Sequence, residues 1–196
     1  MATYNRSNII GYSVQSLISG SFQDWELLII GDACTDDTAS LIESINDPRI
    51  RFINLKQNCG EQSGPNNVGA EMAKGEYLAF LNHDDLWLPD HLARSIQRLR
   101  ETGADLIFGQ GLAIGQDGHT HSICGALCNV THAYQAWMSV PATLWVMRRN
   151  LMQQIGPWKR ANQIRTMPSQ DWLFRAHQSG AQIGTCQPVL SQFCKN

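Results

Sequence analysis

The front half of the chain alternates short β-rich runs with amphipathic stretches, and this alternation limits the fold more than any other feature. The apolar runs Trp25–Ile30, Ile50–Leu55 and Tyr77–Leu81 predict strands. The stretches between them begin with cap residues or proline and continue with apolar residues, which predicts helices. Strands that alternate with helices are typical of an α/β domain with a mostly parallel central sheet.

The remaining elements are predicted from cap, turn and breaker residues. In the front half we expect a strand stub at residues 1–4, helices at about 8–19, 65–74 and 89–102, another that follows 35–38, and a strand at 104–108. After Gly109 the pattern loosens. There we expect a turn or loop at 115–125, a strand at 143–147, a polar and basic loop at 156–167 and a helix at about 169–178.

Length and charge fit one such domain, which we assign to residues 1–196. With 15 Lys and Arg against 17 Asp and Glu and a pI near 6.3, the chain has no broad positive surface for nucleic acid or anionic lipid. No run has the length of a signal-peptide core or a membrane span, so we expect a cytoplasmic protein.

The first candidate functional residue is Asp32, which follows the apolar strand 25–30. Ligands gather at the carboxyl edge of a parallel sheet, and a carboxylate there can accept a hydrogen bond from a nucleobase. Thr3 and Tyr4, at the end of the first strand, can line the same pocket. Alternatively, Asp32 only ends a strand and begins a turn.

A second group is Asn82-His-Asp-Asp85, which follows strand 77–81. Adjacent carboxylates repel each other, and a cation between them and a diphosphate would explain the pair. Mg²⁺ and Mn²⁺ prefer one or two carboxylates together with phosphate oxygens. The alternative is a solvated acidic turn.

The third site is Ser169-Gln-Asp171, where Ser169 can cap the last helix and Asp171 falls in its first turn. The helix dipole favours an ionised carboxylate at this position, as a general base requires. Aspartate is also common in first turns for purely structural reasons, so the position alone does not indicate catalysis.

Taken in order, these segments resemble the inverting glycosyltransferases of family 2, which have the GT-A fold. Thr3-Tyr-Asn-Arg6 is similar to the family's T-Y-N-R, and the stretch 21–27 to T-F-x-D-W-E-L. Residues 30–38 resemble V-D-D-G-S-T-D-D-T. Residues 74–89 resemble K-G-E-Y-I-A-F-L-D-x-D-D-x-W-x-P. The order and spacing of the four segments, over nearly the whole chain, make chance agreement improbable.

The resemblance implies a single Rossmann-like GT-A domain that transfers a hexose from a nucleotide-diphosphate sugar with inversion. Residues 1–108 would bind the donor and 109–196 the acceptor, a saccharide or a lipid-linked molecule. A lipid-linked acceptor implies a cytoplasmic protein that works at the inner face of the membrane. The implied donor-binding residues are Thr3, Tyr4, Arg6, Asp32, Asn66 and Asp84. Asp85, with Asp84, would hold Mn²⁺ or Mg²⁺, and Asp171 would be the catalytic base.

The sequence departs from the family pattern at several of these positions. Gly31 and Asn82 stand where the family often has aspartate, Asn66 where arginine is usual, and Gln170 where glutamate commonly precedes the base. We interpret the changes as altered donor preference or metal affinity. A non-catalytic nucleotide-sugar-binding module is the main alternative, and a sugar nucleotidyltransferase a more distant one. The chain also lacks most of the family's apolar first strand, which suggests a truncated start.

Two further groups stay open. One group has residue types that suit zinc, namely His119, His121, Cys124, Cys128 and His132. Their spacing matches no known motif, and incidental loop residues are the simpler interpretation. The basic residues of loop 156–167 either close over a diphosphate or anionic acceptor, or form a solvated loop.

Overall fold

The computed structural model describes residues 1–115, 117–125 and 134–194, and gives 187–194 by their backbone only. The strands in these ranges are β1 Ala2–Thr3, β2 Leu27–Gly31, β3 Ile50–Asn54, β4 Tyr77–Ala79, β5 Asp85–Trp87, β6 Leu106–Ile114, β7 Thr120–Gly125, β8 Trp145–Arg148 and β9 Ile183–Cys194. The α-helices are α1 Ile10–Ile18, α2 Thr38–Ile45, α3 Ser63–Met72, α4 His91–Thr102, α5 Arg149–Ile155 and α6 Pro168–Gln178.

The first sheet is parallel throughout and has the order β1-β2-β3. Its central strand, β2, is buried along its whole length, as expected for a continuous apolar run covered on both faces. β1 pairs with the end of β2 only, from Ala2 opposite Ile30 to Thr3 opposite Gly31. This register sets the end of β1 beside Asp32, so the predicted α/β arrangement brings the two segments together.

The second sheet is mixed and has the order β4-β8-β6-β9-β5, with β7 paired to β6. β6 and β9 are parallel, whereas the pairs that involve β8, β5 and β7 are antiparallel. Among the described residues β4 is an edge strand of this sheet, and β1 is an edge strand of the first. The two edges face a cavity between the sheets.

Several elements differ from the sequence prediction. The expected loop at 115–125 is wrong over Thr120–Gly125, which forms β7 because the neighbouring strand β6 supplies its hydrogen bonds. The alternation in β7 is weak since this edge strand is largely exposed. Strands β5 and β9 and helix α5 were not predicted. β5 has three residues and exists through its pairing with β9, which lies far along the chain.

The cores on the two sides of the molecule are built from large apolar side chains. Trp145, Trp158 and Trp172 are buried, and the ring centroid of Trp145 lies 6.0 Å from that of Trp158 and 5.8 Å from that of Trp172. Burial of each such ring stabilises the fold by roughly 1.5–3 kcal/mol. Trp137, in contrast, is 71% exposed, so its ring is available at the surface.

No helix of the described residues is long and apolar enough to cross a membrane.

Candidate active site

Asp32 lies directly after β2 and is 4% exposed. Its carboxylate accepts hydrogen bonds from the backbone N–H groups of Cys59 at 2.7 Å and Gly60 at 3.0 Å. Its own N–H donates to Thr3 O at 2.8 Å, so Thr3 and Asp32 are neighbours as predicted. A carboxylate offers about four acceptor positions. Asp32 therefore organises the loop after β3 and keeps acceptor capacity for a ligand.

A turn at the end of β1 shapes this pocket further. Asn5 has a positive φ of 50°, a conformation that Asn tolerates better than most residues. Its side-chain oxygen accepts from Thr35 N at 2.8 Å. Tyr4 is half exposed beside it, and Arg6 O accepts the first hydrogen bonds of the turn that leads into α1. Sequence reasoning missed the role of Asn5, although an asparagine between a strand and a helix is a typical turn signal.

Asp36 joins the same turn from the other side. Its carboxylate accepts from Ser7 N at 3.0 Å and from the Thr38 hydroxyl at 2.6 Å. Burial raises the pKa of Asp36, but the hydrogen bonds from Thr38 and Ser7 outweigh it and lower the pKa to about 2. Asp36 is therefore ionised at any working pH and fixes the start of α2 against the end of β1.

The departure at Gly31 is part of the packing. A Cβ atom at this position would lie 2.6 Å from Asn54 Oδ1 and 2.8 Å from Phe52 Cζ. Asn54 uses the space to bind Cys34, accepting from its N–H and donating to its carbonyl, both at 2.8 Å. The Asn54 side chain thus occupies the space that a side chain at position 31 would need.

Asp85 is the first residue of β5 and is 4% exposed. The Asn82 amide donates to its Oδ2 at 2.7 Å. Burial raises the pKa of Asp85 to about 7, the nearby Asp84 charge adds to this, and the Asn82 hydrogen bond opposes it. No Lys or Arg in the described part of the chain forms a salt bridge with Asp85. The site places negative charge where burial disfavours it.

His83 connects this acidic turn to the first sheet. Its Nδ1 lies 3.1 Å from the carbonyl oxygen of Ala2 in β1. Thr3 and Asp32, which the sequence predicts as donor contacts, therefore lie at the same edge of the molecule as the acidic turn. Sequence reasoning assigned no role to His83, and its position between Asn82 and Asp84 was the available signal.

Asp171 lies in the first turn of α6, as the sequence predicted. Its Oδ2 accepts from Arg175 Nε at 2.8 Å, one helical turn later. The other two nitrogens of Arg175 donate to Ile155 O and Pro157 O, both at 2.9 Å. The guanidinium is thereby fixed on three acceptors, and it fixes the orientation of the Asp171 carboxylate in turn.

The segment 140–143 is bonded to a residue that neighbours each of the two aspartates in the chain. Gln170, next to Asp171, accepts from Val140 N at 3.3 Å and donates to Val140 O at 2.8 Å. Trp87, in the strand that begins with Asp85, donates from Nε1 to Thr143 O at 2.7 Å. Gln170 and Trp87, which lie close in the chain to the two aspartates, are thus both bonded to one short segment. Gln170 and Asn82, two of the departures from the family pattern, serve as hydrogen-bond donors that a carboxylate could not replace.

Loop 156–167 is fastened to the donor side of the molecule. Asn67 holds Trp158 through two hydrogen bonds, to its carbonyl at 2.9 Å and from its N–H at 2.8 Å. Glu61 accepts from Ala161 N at 2.9 Å. The basic residues Lys159, Arg160 and Arg165 of the loop are exposed. Asn66 is buried in the first turn of α3.

The residues for a divalent cation fit by their chemistry. Asp85 is a buried carboxylate next to a second one, and two carboxylates with phosphate oxygens form the usual Mg²⁺ or Mn²⁺ site. The described residues contain no cluster of three or more His, Cys, Asp or Glu side chains placed for a metal. A cation here would need ligands from the donor.

The suggested zinc cluster loses its geometric basis. Cys124 and His121 lie on strand β7 and not on a helix. His121 Nε2 lies 2.9 Å from Asp117 Oδ1. Cys128 and His132 lie outside the described residues.

Solved structures of known proteins share this fold. The structure of S. aureus TarS matches 99% of this chain and 36% of its own with a TM-score of 0.81 at 19% identity. A TarS complex with UDP-GlcNAc matches 100% of this chain and 57% of its own, with a TM-score of 0.80 at 20% identity. The chain has the GT-A fold of these proteins.

The sequence comparison identifies the family. Residues 1–156 match the model of glycosyl transferase family 2. The chain belongs to this family. The succinoglycan biosynthesis protein ExoO of Rhizobium meliloti is 32% identical over 120 residues, 61% of this chain and 34% of its own length. The Escherichia coli β-1,3-glucosyltransferase WfaP is 37% identical over 97 residues, 49% of this chain and 38% of WfaP. The chain thus spans about a third of the length of these relatives.

Proposed function

We propose that this chain is the catalytic part of an inverting glycosyltransferase that moves a hexose from a nucleotide-diphosphate sugar to an acceptor hydroxyl. Residues 1–108 bind the donor, with Thr3, Tyr4, Arg6, Asp32, Asn66 and Asp84 as its contacts. Residues 109–196 bind the acceptor and carry the base. Family membership supports the reaction class.

The observation that carries the proposal is the shared anchoring of Asp85 and Asp171. Gln170 holds Val140, and Trp87 holds Thr143, so the acidic turn and the start of α6 lie against one segment. The Asp171 carboxylate is oriented by Arg175, whereas the Asp85 carboxylate is buried beside Asp84 and is suited to a cation. Two carboxylates with different environments are suited to two different tasks.

In the reaction, Asp171 accepts the proton of the acceptor hydroxyl while the hydroxyl oxygen attacks the anomeric carbon. The bond from that carbon to the diphosphate oxygen breaks in the same step, and the configuration inverts. Arg175 keeps the carboxylate in one orientation throughout, which lowers the entropic cost of the encounter. Asp85, with Asp84, would hold a divalent cation whose chemistry is to neutralise the charge on the departing diphosphate.

Relatives and neighbours indicate which molecules to test. WfaP is named as a UDP-glucose-dependent enzyme that acts on a diphosphoundecaprenol-linked sugar. A TarS structure contains UDP-GlcNAc, and a Pyrobaculum calidifontis mannosyltransferase structure contains GDP-mannose and Mn²⁺. We therefore propose a nucleotide-diphosphate hexose as donor and a saccharide or lipid-linked saccharide as acceptor. A lipid-linked acceptor would place the reaction at the inner face of the membrane.

The test is transfer by the Asp171→Asn variant. Thermal shifts with UDP-glucose, UDP-GlcNAc and GDP-mannose, with and without Mn²⁺, first identify a donor, because a ligand of the folded state raises Tm. Transfer is then measured as release of the nucleoside diphosphate in the presence of acceptor. Asp171→Asn lowers the rate by about 10²- to 10⁴-fold, while the donor-induced Tm shift stays unchanged.

Asp47→Asn is the matched control, because Asp47 lies before β3, at the opposite end of that strand from the loop held by Asp32. It retains the wild-type rate. Substantial transfer by Asp171→Asn would exclude this residue as the base. A wild-type protein that binds a donor but neither transfers nor hydrolyses it would be a nucleotide-sugar-binding module.

A further inference from the structure

The exposed apolar side chains of the described residues are not evenly spread over the molecule. Trp137 is 71% exposed, Met167 58% and Phe174 40%, and they are three of six large apolar side chains exposed in this way. Single exposed apolar residues are normal, whereas a cluster of them marks a contact surface. Hydrogen bonds and a ring contact place the three on one face of α6, which we call the α6 strip.

Two members of the α6 strip stand on either side of Asp171 along the helix. Met167 immediately precedes α6, and its carbonyl oxygen accepts from Asp171 N at 3.0 Å. Phe174 follows Asp171 by three residues, a spacing that makes two helical positions neighbours. Gln170, Phe174 and His177 share one face of the helix, since their spacing is i, i+4, i+7.

The segment 134–140 runs along the same face in the opposite direction. The ring of Tyr134 lies 5.3 Å from the ring of His177, centroid to centroid. At its other end the segment is bonded to Gln170, through both the N–H and the carbonyl of Val140. The middle of the segment therefore lies beside the middle of α6.

Trp137 occupies the middle of that segment. Gln135 O accepts from Met138 N at 2.8 Å, which closes a turn that contains Trp137. The two anchored ends of the segment place this turn beside Phe174. The exposed rings of Trp137 and Phe174 thus belong to one apolar surface, which continues to Met167 at the start of the helix.

The half of the chain that carries the α6 strip is basic. Residues 109–196 contain seven Lys and Arg against two Asp, whereas residues 1–108 contain eight Lys and Arg against 15 Asp and Glu. The net charge of −2 conceals this asymmetry. One of the two acids is Asp171, whose charge is balanced by Arg175 at 2.8 Å. Arg165 is exposed directly before the strip.

We propose that the α6 strip docks on a membrane surface that contains anionic lipid. Tryptophan is enriched at membrane interfaces, and exposed apolar side chains next to basic ones are typical of proteins that bind such a surface from one side. A saccharide would require hydrogen-bonding partners. The Phe174 ring supplies none, and the Met167 thioether is only a weak acceptor.

Docking in this orientation has a consequence for transfer, which rests on the proposed function. Asp171 lies between Met167 and Phe174 along the helix, so contact of the strip with the lipid brings the base to the membrane surface. The hydroxyl of a saccharide held on a lipid carrier lies at the same surface. The strip would therefore select acceptors that are embedded in a membrane.

The test is co-sedimentation of the whole chain with vesicles, in the absence of donor and acceptor. One set of vesicles contains phosphatidylcholine alone and the other an equimolar mixture with phosphatidylglycerol. We expect binding to the anionic vesicles, weakened by about fivefold in Arg165→Gln, because a basic residue near such a surface contributes about 1 kcal/mol. Trp137→Ser removes a large apolar contact and should weaken binding by roughly tenfold or more.

Two matched variants in the acidic half serve as controls. Tyr12 on α1 is 71% exposed, as Trp137 is, and Arg51 on β3 is also exposed. Tyr12→Ser and Arg51→Gln should bind the vesicles as the wild type does. The four substituted side chains are exposed, so all the variants should also retain the wild-type Tm.

Fluorescence separates insertion of the strip from attachment by charge alone. Lipids brominated in their acyl chains quench a tryptophan that enters the membrane. We expect these vesicles to quench part of the fluorescence of the wild type and of Tyr12→Ser, and none of that of Trp137→Ser at a lipid concentration where it is bound.

Several outcomes would overturn the docking surface. These are failure of the wild type to bind anionic vesicles, equal binding to both kinds of vesicle, and equal losses in Trp137→Ser and Tyr12→Ser. A dimer that Trp137→Ser dissociates, in a chain that binds no vesicles, would show that the strip contacts a second copy.

Vesicle binding and sugar transfer fail independently. A chain that binds vesicles but transfers no sugar would contradict the proposed function and leave the docking surface intact. A chain that transfers sugar but ignores vesicles would retain the function and exclude the docking surface.

Discussion

Asp85 and Asp171 are both shielded from water, yet the protein treats their charges in opposite ways. Asp85 is 4% exposed, and the Asn82 amide that donates a hydrogen bond to it is neutral. The Asp171 side chain is 17% exposed and is held by a guanidinium that is itself fixed on two carbonyls. The charge of Asp171 is balanced within the chain. For Asp85, no Lys or Arg of the described residues forms a salt bridge that would balance the charge.

This difference indicates which of the two sites lowers the stability of the folded chain. A buried charge without a counter-ion lowers the free energy of unfolding. A carboxylate that orients a fixed guanidinium raises it, even where part of the pair is exposed. Stability measurements on variants of the two sites can therefore test the comparison without an assay for transfer.

The largest effect is expected for Arg175→Met, which keeps the apolar stem and removes all donors. Ile155 O, Pro157 O and the Asp171 carboxylate would each lose a partner in a half-buried environment. We expect the free energy of unfolding, measured by urea denaturation, to fall by about 2–4 kcal/mol.

The matched variant is Arg94→Met. Arg94 forms an exposed i,i+4 pair with Asp90, and such pairs contribute about 0.3–0.5 kcal/mol. Equal losses in the two variants would mean that the Arg175 site is not the balanced one that the contacts indicate.

The next effect has the opposite sign. Asp85→Asn removes a buried charge but retains an oxygen that can accept from Asn82. We expect the free energy of unfolding to rise by about 1–3 kcal/mol. The same Asp→Asn change at Asp171 weakens the bond to Arg175 and should lower it by about 1–2 kcal/mol. Changes of the same sign at both positions would contradict the idea that the charge of Asp171 is balanced within the chain and that of Asp85 is not.

The same variants can be tested for metal binding with Mn²⁺. With a donor present, Mn²⁺ should raise the Tm of the wild type and of Asp171→Asn, and leave that of Asp85→Asn unchanged. If Asp85 destabilises the fold but is needed for metal binding, Asp85→Asn should gain stability and lose the response to metal.

The sequence predicted the parts of this site that depend on local pattern. Asp32 follows an apolar strand and Asp171 stands in a helical first turn, and both positions can be read from neighbouring residues. Arg175 was also readable, since an acid and a base four residues apart in a helix face each other. We did not predict the burial of Asp85, because it depends on the pairing of β5 with β9, which is not a local property. The sheet arrangement beyond β6 was not predicted either, because it also depends on pairing between distant segments.

The smallest effect concerns Gln170, where the family commonly has glutamate. In Gln170→Glu the side chain still accepts from Val140 N but can no longer donate to Val140 O, and it brings a carboxylate close to that carbonyl. The position is half-buried, so water compensates in part, and we expect a loss of about 0.5–1 kcal/mol. Gln170→Met, which has similar length and lacks both polar groups, should cost about the same or slightly more. A stability gain with glutamate would show that Val140 is held by other means, and that Asp85 and Asp171 are not joined through the segment 140–143.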